Sequence, residues 1–195
     1  MNLRQAMSRF QNTIYARAVR HGLTLAIPFL IMGSFALLLT NFPLGVYQDF
    51  IRTWMNGAAS AILETLYQIS LGSLALVLTV TISISYGHLT ETDQLFLYPI
   101  VAVCSYLAFC GGIENQSDYI FNAEWVFTAM VITLLSCVLF HKILKLGHRF
   151  ERLHTTGADY LFNISIQCLI PVILVSLFFA VTGYVPVSYT HLRAH

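Results

Sequence analysis

Five apolar stretches alternate with short polar stretches along the chain, and they contain no charged side chain apart from the lysines that close the fourth. In the first, residues 22–40, a helix would rise about 28 Å, close to the hydrocarbon thickness of a bilayer. Arg20 precedes it and Asn41-Phe42-Pro43 follows it, and a proline there blocks helix continuation. This pattern predicts a membrane span. A buried helix of a soluble core is the less favoured alternative, because the pattern recurs.

The four further predicted spans are residues 65–86, 95–112, 125–146 and 161–185. Pro171 lies inside the fifth span, where it removes a backbone hydrogen bond, so we expect a kink there. Residues 44–64 mix apolar and charged side chains and carry aromatic residues typical of a headgroup region, which favours an interfacial helix. The fold class predicted is an all-α, polytopic membrane protein with a membrane domain over residues 22–187.

Composition supports this prediction. Charged residues make up 10% of the chain and hydrophobic residues 57%, whereas about a quarter of a soluble domain is charged. The chain therefore has too few charges to cover a water-exposed surface, and the lipid bilayer is its expected environment. A net charge of +1 gives no indication of a nucleic-acid partner.

Residues 1–21 place apolar side chains at helical spacing, with four arginines mostly on other faces. This predicts an amphipathic N-terminal helix on the membrane surface. A cleaved signal peptide is the alternative, but its apolar run would be shorter and a small-residue cleavage site would follow. The apolar positions are Leu3, Met7, Phe10 and Ile14.

The distribution of basic residues predicts the orientation. Four arginines precede the first span, and four basic residues lie at the end of span four and in the loop that leads to span five. On the opposite side the loops contain only one basic residue, Arg52. Because basic residues accumulate in cytoplasmic segments, we expect a cytoplasmic N-terminus. The end of span five then lies outside.

Small residues recur every fourth position in two spans. Such faces let helices approach closely, and association in lipid depends on that packing and on interhelical hydrogen bonds. We expect the second and fourth spans to associate, and Ser83→Leu or Thr133→Leu to weaken the association. A polar substrate path along the second span is the alternative. The faces comprise Ala75, Thr79, Ser83 and Gly87, and Ala129, Thr133 and Cys137.

Catalytic patterns are not found in the sequence: it has no glycine-rich phosphate loop, H-E-x-x-H or G-x-S-x-G. His88, Glu91 and Asp93 share one short turn, for which a solvated turn is favoured over a metal site or proton relay. The other histidines near span ends are interpreted as interfacial residues, and the cysteines as packing residues. We therefore predict no enzyme and no catalytic, cofactor-binding or metal-binding residue. The histidines are His21, His141, His148 and His154, and the cysteines are Cys104, Cys110, Cys137 and Cys168.

Three segments together resemble membrane component IIC of the bacterial sugar phosphotransferase system, lactose/cellobiose type, in its N-terminal half. The second segment is residues 123–129, running into Ser136 and the basic exit at Lys142, and the third is Ile170-Pro171. The similarity extends over about residues 10–186. The first segment comprises Arg20, Gly22, Pro28, Ile31, Gly33, Ser34 and Phe35, followed by Asn41, Phe42 and Pro43.

The resemblance implies a homodimeric carrier of about ten spans in the bacterial inner membrane. Such a carrier admits a β-linked disaccharide and presents it to the soluble IIB component, which is itself phosphorylated by IIA. In this family the first five spans mainly build the dimer interface, and the sugar-binding residues belong to the second half. The substrate-binding residues of this chain are therefore left unassigned, and its spans are expected to act as scaffold. Ion paths and proton relays usually have charged residues in the middle of their spans, and none of these spans has one there.

Residues 188–195, SYTHLRAH, resemble a translated sequencing adapter, so we expect a non-native tail and a longer natural protein. Two other functions remain open. IIC-like membrane modules also occur as sensors fused to cyclic-di-GMP phosphodiesterase domains, and the gene beyond Val187 would separate these from carriers. An unrelated five-span structural protein is the third possibility, and it would require a native stop codon near residue 195.

Overall fold

The computed structural model describes residues 11–53, 57–92, 94–111, 121–146 and 160–192, in which every regular element is helical. This confirms the all-α prediction for the described part of the chain. A 3₁₀ turn at Ala123–Trp125 leads into the sixth helix. The helices are α1 (Ile14–Thr40), α2 (Gly45–Thr53), α3 (Ala58–Ser70), α4 (Leu74–Leu89), α5 (Leu97–Cys110), α6 (Val126–Leu146) and α7 (Tyr160–Leu192).

Both ends of α1 have a local cause. The Thr13 hydroxyl accepts a hydrogen bond from the amide of Ala16, which satisfies one of the free N–H groups of the first turn. At the other end, the backbone amide and side-chain amide of Asn41 both donate to the Leu37 carbonyl. Pro43 follows, and it cannot extend the helix. Helix α1 therefore ends at Thr40, the residue at which the first predicted span also ends.

Three helical segments are long and apolar enough to cross a membrane, namely α1, Ala123–Leu146 and Phe162–Tyr184. The pair α3 and α4 would make a fourth if counted as one span, although it is bent by 44°. Helix α5 has 14 residues, fewer than the roughly 20 that a spanning helix needs. The long apolar helices fit a membrane-embedded protein with three to four spans by length and composition.

The break between α3 and α4 falls inside the predicted second span. Ser70 and Ser73 donate their hydroxyls back to carbonyls of α3, and Gly72 lies between them, a combination that commonly bends helices. After the break, the amide of Ala75 donates to the Phe121 carbonyl over 3.0 Å. The loop before α6 thus satisfies a donor in the first turn of α4.

Helix α4 forms the centre of the bundle, because it packs against α1, α5 and α6. Helix α7 closes the far side by packing on α5 and α6, and α3 lies against α1. Both predicted small-residue faces are buried, and α4 and α6 contact each other directly. The expected packing of these two helices is therefore found within a single chain.

Small residues also set the distance between α1 and its neighbours. A Cβ atom on Gly22 would lie 2.7 Å from the Ile82 Cα on α4, which is too close without a shift of one helix. A Cβ atom on Gly33 would meet the side chains of Ser70 and Leu71 at the end of α3, and one on Gly183 of α7 would meet the backbone of Phe109 on α5. The buried positions of α1 are Ala18, Gly22, Ala26, Gly33 and Ala36.

Some predictions fall outside the described residues or are not tested by them. Residues 1–10 lie outside, and residues 14–21 form the first turns of α1, so the separate amphipathic helix stays a prediction. The predicted interfacial stretch 44–64 contains α2 and the start of α3. Helix α7 continues through Pro171 as far as Leu192, and residues 193–195 of the expected tail lie outside.

Candidate functional site

An aromatic cluster forms where the start of α1, the end of α4, the start of α5 and the end of α6 meet. Tyr86 is central: its ring centroid lies 6.4 Å from that of Tyr15, 5.8 Å from that of Tyr98 and 6.4 Å from that of His141. Tyr98 and Phe140 meet edge to face with ring centroids 5.2 Å apart. Each such pair contributes about 0.5–1.5 kcal/mol in addition to the free energy gained from the area that it buries.

The polar contact of this cluster joins Tyr98 to His141. The hydroxyl oxygen of Tyr98 lies 2.9 Å from Nδ1 of His141, and Tyr98 is fully buried. In the neutral tautomer with the proton on Nε2, the hydroxyl donates to Nδ1. The bond satisfies a buried phenol and fixes α5 to α6, which is a positioning role.

The sequence analysis did not predict this pair, and it interpreted His141 as an ordinary interfacial residue. A signal was present in the sequence. Tyr98 lies near the start of the third predicted span and His141 near the end of the fourth, so antiparallel neighbours place both at one side of the membrane. The 43-residue separation hides their contact from any local pattern.

A second feature is a polar pocket of about 460 Å³ at the opposite end of α1, which we call the Gln48 pocket. The Gln48 side-chain amide donates to the carbonyls of Thr40 at 2.9 Å and Phe42 at 3.0 Å, which closes the turn between α1 and α2. The side chains of Thr40, Asn41 and Ser60 also donate to nearby backbone carbonyls. The lining comprises Thr40, Asn41, Phe42, Pro43, Gln48, Ile51, Ser60 and Leu63.

The hydroxyls of α4 bear on the alternative of a polar path. Thr79 donates to the Ala75 carbonyl at 2.9 Å, and Ser83 donates to the Val80 carbonyl at 2.8 Å. Thr81 makes the same kind of bond to the Leu78 carbonyl. Hydroxyls bonded to their own helix and buried against neighbouring helices behave as small packing groups. This arrangement favours packing over a substrate path along α4.

The predicted turn residues and cysteines form no assembled centre in the described part of the chain. His21 and His88 are exposed, Glu91 has a left-handed backbone with φ 49°, and Asp93 lies outside the described residues, as do His148 and His154. Within the described ranges, no three histidine, cysteine, aspartate or glutamate side chains come together as metal ligands. All four cysteines are free thiols: Cys104 is exposed, and Cys110, Cys137 and Cys168 are buried.

No family model, curated protein or solved structure matches this chain. The class of the protein is therefore defined by the architecture described above, an all-helical bundle with three long apolar helices that fits a membrane-embedded protein. Any narrower identity depends on the sequence resemblance.

Proposed function

We propose that the chain is the N-terminal scaffold part of a sugar permease of the phosphotransferase IIC type, lactose/cellobiose class. It would cross the bacterial inner membrane five times with its N-terminus in the cytoplasm, and it would work as a homodimer. In this proposal α5 is the third span, although it is short, and α3 with α4 is the second span, which is bent. The carrier moves a β-linked disaccharide that the IIB partner phosphorylates, so the chain itself is not catalytic.

The observation that carries this proposal is the position of the motif residues in the bundle. Gly22 and Gly33 of the first resembling segment lie where α1 contacts Ile82 of α4 and Ser70 of α3. Asn41 ends α1, and Phe42 lines the Gln48 pocket with it. Gly22 and Gly33 therefore share a role in holding α1 against the bundle, whereas Ile31 and Phe35 of the same segment are exposed. This supports a scaffold geometry of the kind that the resemblance implies.

The chemistry of the bundle interior also supports a scaffold role. The buried residues of α4, α5 and α6 are small, apolar or hydroxyl-bearing, and none of them is charged. Such an interior can be rigid without offering a path for ions. The sugar would then bind in another part of the carrier.

The experiment is to recover the intact gene and reconstitute its product in inside-out and right-side-out vesicles with purified IIA, IIB and the soluble proteins that transfer the phosphoryl group from phosphoenolpyruvate to IIA. We expect phosphoenolpyruvate-dependent accumulation of a phosphorylated β-linked disaccharide, and its loss when IIB is omitted. The same vesicles without phosphoenolpyruvate are the control. Failure of a panel of β-linked disaccharides to be phosphorylated would contradict the carrier. A phosphodiesterase domain after residue 187 would instead support the sensor alternative.

A further inference from the structure

A long groove runs along one side of α1, bounded by residues 15–30 of α1 and by Leu134 of α6, and we call it the α1–α6 groove. Its volume is about 670 Å³, within the range of ligand-binding pockets. Its walls are aliphatic, with Leu23 and Ile27 40% and 47% exposed, and Val19 and Leu134 pack onto the buried cluster that includes Leu78 and Ile82. An apolar ligand can therefore lie in the groove from outside.

One end of the groove carries a positive charge. The exposed Arg20 lines the groove, and no described acidic side chain forms an ion pair with it. The hydroxyl of Thr24, one turn further, donates to the Arg20 carbonyl at 2.9 Å, so its proton is committed to the helix. The guanidinium is thus an unpaired cation beside an apolar channel. Its chemical complement is an anion attached to a hydrocarbon chain.

The dimensions point to one such ligand. From Arg20 to Leu30 the helix advances ten residues, or about 15 Å, which equals the depth of one leaflet of a hydrocarbon core of about 30 Å. The groove therefore extends from headgroup depth to the middle of a bilayer if Arg20 lies at the interface. Arg17 on α1 and Lys142 and Lys145 on α6 lie towards the same end of the bundle, as expected for the basic side of a membrane protein.

We propose that the α1–α6 groove binds an anionic phospholipid, with one acyl chain along α1 as far as Leu134 and the phosphate on Arg20. An Arg guanidinium can donate two parallel hydrogen bonds to phosphate oxygens, which a bare surface charge does not provide. The site is independent of sugar transport, so it would be present in a carrier, a sensor or a structural protein alike.

The test uses the full chain in neutral detergent with phosphatidylglycerol and phosphatidylcholine of identical acyl chains, analysed by native mass spectrometry. We expect the wild type to retain phosphatidylglycerol in preference to phosphatidylcholine. Arg20→Gln should reduce phosphatidylglycerol retention about fivefold, the effect of one basic residue near an anionic lipid surface. Lys142→Gln removes an equal charge from an exposed position outside the groove and should leave the preference intact. Far-ultraviolet circular dichroism confirms that each variant is helical.

A second variant and a label test where the acyl chain lies. Thr24→Phe fills the groove from an exposed position and should lower retention of both lipids. A phosphatidylglycerol with a photoactivatable group at the end of its acyl chain should label the peptides that contain Leu30 and Leu134. Equal retention of the two lipids by the wild type would show that the groove does not recognise the anionic headgroup and would overturn the proposal. Equal losses in Arg20→Gln and Lys142→Gln would show attraction by surface charge alone and would overturn it as well. A wild-type dimer that carries no lipid would overturn it in favour of a second copy as the occupant.

Discussion

The contact between α1 and α4 depends on the absence of a single carbon atom. At Gly22, a Cβ would lie 2.5 Å from Cγ1, 2.7 Å from Cα and 2.8 Å from N of Ile82. The Ile82 side chain can rotate away, but its backbone belongs to a packed helix and cannot. Glycine at this position therefore lets the two helix backbones come close enough for dispersion contacts along the crossing.

Gly22→Ala is expected to destabilise the bundle. Alanine improves helix propensity by about 1 kcal/mol relative to glycine, but forcing a group into a packed crossing costs about 1–3 kcal/mol. The clash is with backbone, so we expect the larger cost and a net loss of about 1 kcal/mol or more. The free energy of unfolding is measured by circular dichroism in mixed micelles of increasing SDS content.

Gly45→Ala is the matched control, because a Cβ added at Gly45 meets no atom within 4 Å. Here only the propensity gain operates, so stability should stay equal or rise slightly. If Gly22→Ala were as stable as Gly45→Ala, the close approach of α1 to Ile82 would be wrong. The sequence analysis identified Gly22 as a motif residue, but it could not give this reason, because Ile82 is 60 positions away.

At the level of the helices, α4 is distinguished by being buried on most of its circumference. It carries buried hydroxyl groups and small residues in every turn between Ala75 and Gly87, and it contacts three other helices. A helix between lipid and protein would instead have one exposed face, as α1 and α7 do. The central position of α4 explains why its sequence is rich in Ser and Thr: bulky side chains would hold three neighbours apart.

Thr133→Leu tests the partner face on α6. Thr133 is 0% exposed, and its hydroxyl has no hydrogen-bond partner in the described structure. Loss of that hydroxyl offsets part of the cost, but the larger side chain must displace α4 or α6, so we expect a net destabilisation of about 1–3 kcal/mol. The measurement is SDS-induced unfolding monitored by circular dichroism.

Val131→Leu provides the comparison on the same helix, since Val131 is 56% exposed and accommodates an added methylene without displacing a neighbour. Its unfolding midpoint should match that of the wild type. Equal midpoints for Thr133→Leu and Val131→Leu would contradict the burial of this face and the contact between α4 and α6.

The helices differ in how much of them the sequence could predict. The fourth span was predicted at residues 125–146, and α6 covers Val126–Leu146. The agreement is close because a tryptophan and two lysines mark the ends of this segment in the sequence. The second span was predicted as one helix over residues 65–86, but the chain breaks at Leu71 to Ser73. Apolar content is continuous across that break. The bend depends on serine hydroxyls that bond back to α3 and on the Phe121 carbonyl, and neither contact changes the hydrophobic pattern.

The same limit applied to the candidate sites. The Tyr98–His141 pair and the α1–α6 groove each join residues from two helices, so no single stretch of sequence contains either. The Gln48 pocket was closer to being predictable, because Asn41, Phe42 and Pro43 were already identified as the end of the first span. The sequence pattern did not show that the Gln48 side chain donates hydrogen bonds to the carbonyls of Thr40 and Phe42.

For the whole molecule, the outward surface is strongly apolar, especially on α1 and α7, where large aliphatic and aromatic side chains are exposed along most of each helix. Soluble monomers rarely expose contiguous apolar patches along whole helices. Helix α5 is shorter than a typical membrane-spanning helix, but its exposed positions are apolar, like those of α1 and α7. Ile100, Cys104 and Leu107 form one apolar outward stripe at helical spacing.

Cys104 can show whether α5 lies within the bilayer. It is the exposed thiol at the middle of α5, and the other three cysteines are buried, so modification of the folded chain reports on Cys104. In liposomes, a charged, water-soluble maleimide should fail to modify Cys104, because hydrocarbon excludes the charged reagent. A maleimide that partitions into lipid should modify it. SDS unfolding should expose all four thiols.

His88→Cys places a thiol at an exposed site beyond the predicted second span and should react with the water-soluble reagent in permeabilised liposomes. If Cys104 reacts with that reagent as fast as the His88→Cys thiol, α5 lies outside the hydrocarbon and the bundle has at most four spans. If only the lipid-partitioning reagent reaches Cys104, the 14 residues of α5 lie within the membrane. The bilayer must then become thinner around so short a helix, or α7 must cover the ends of α5.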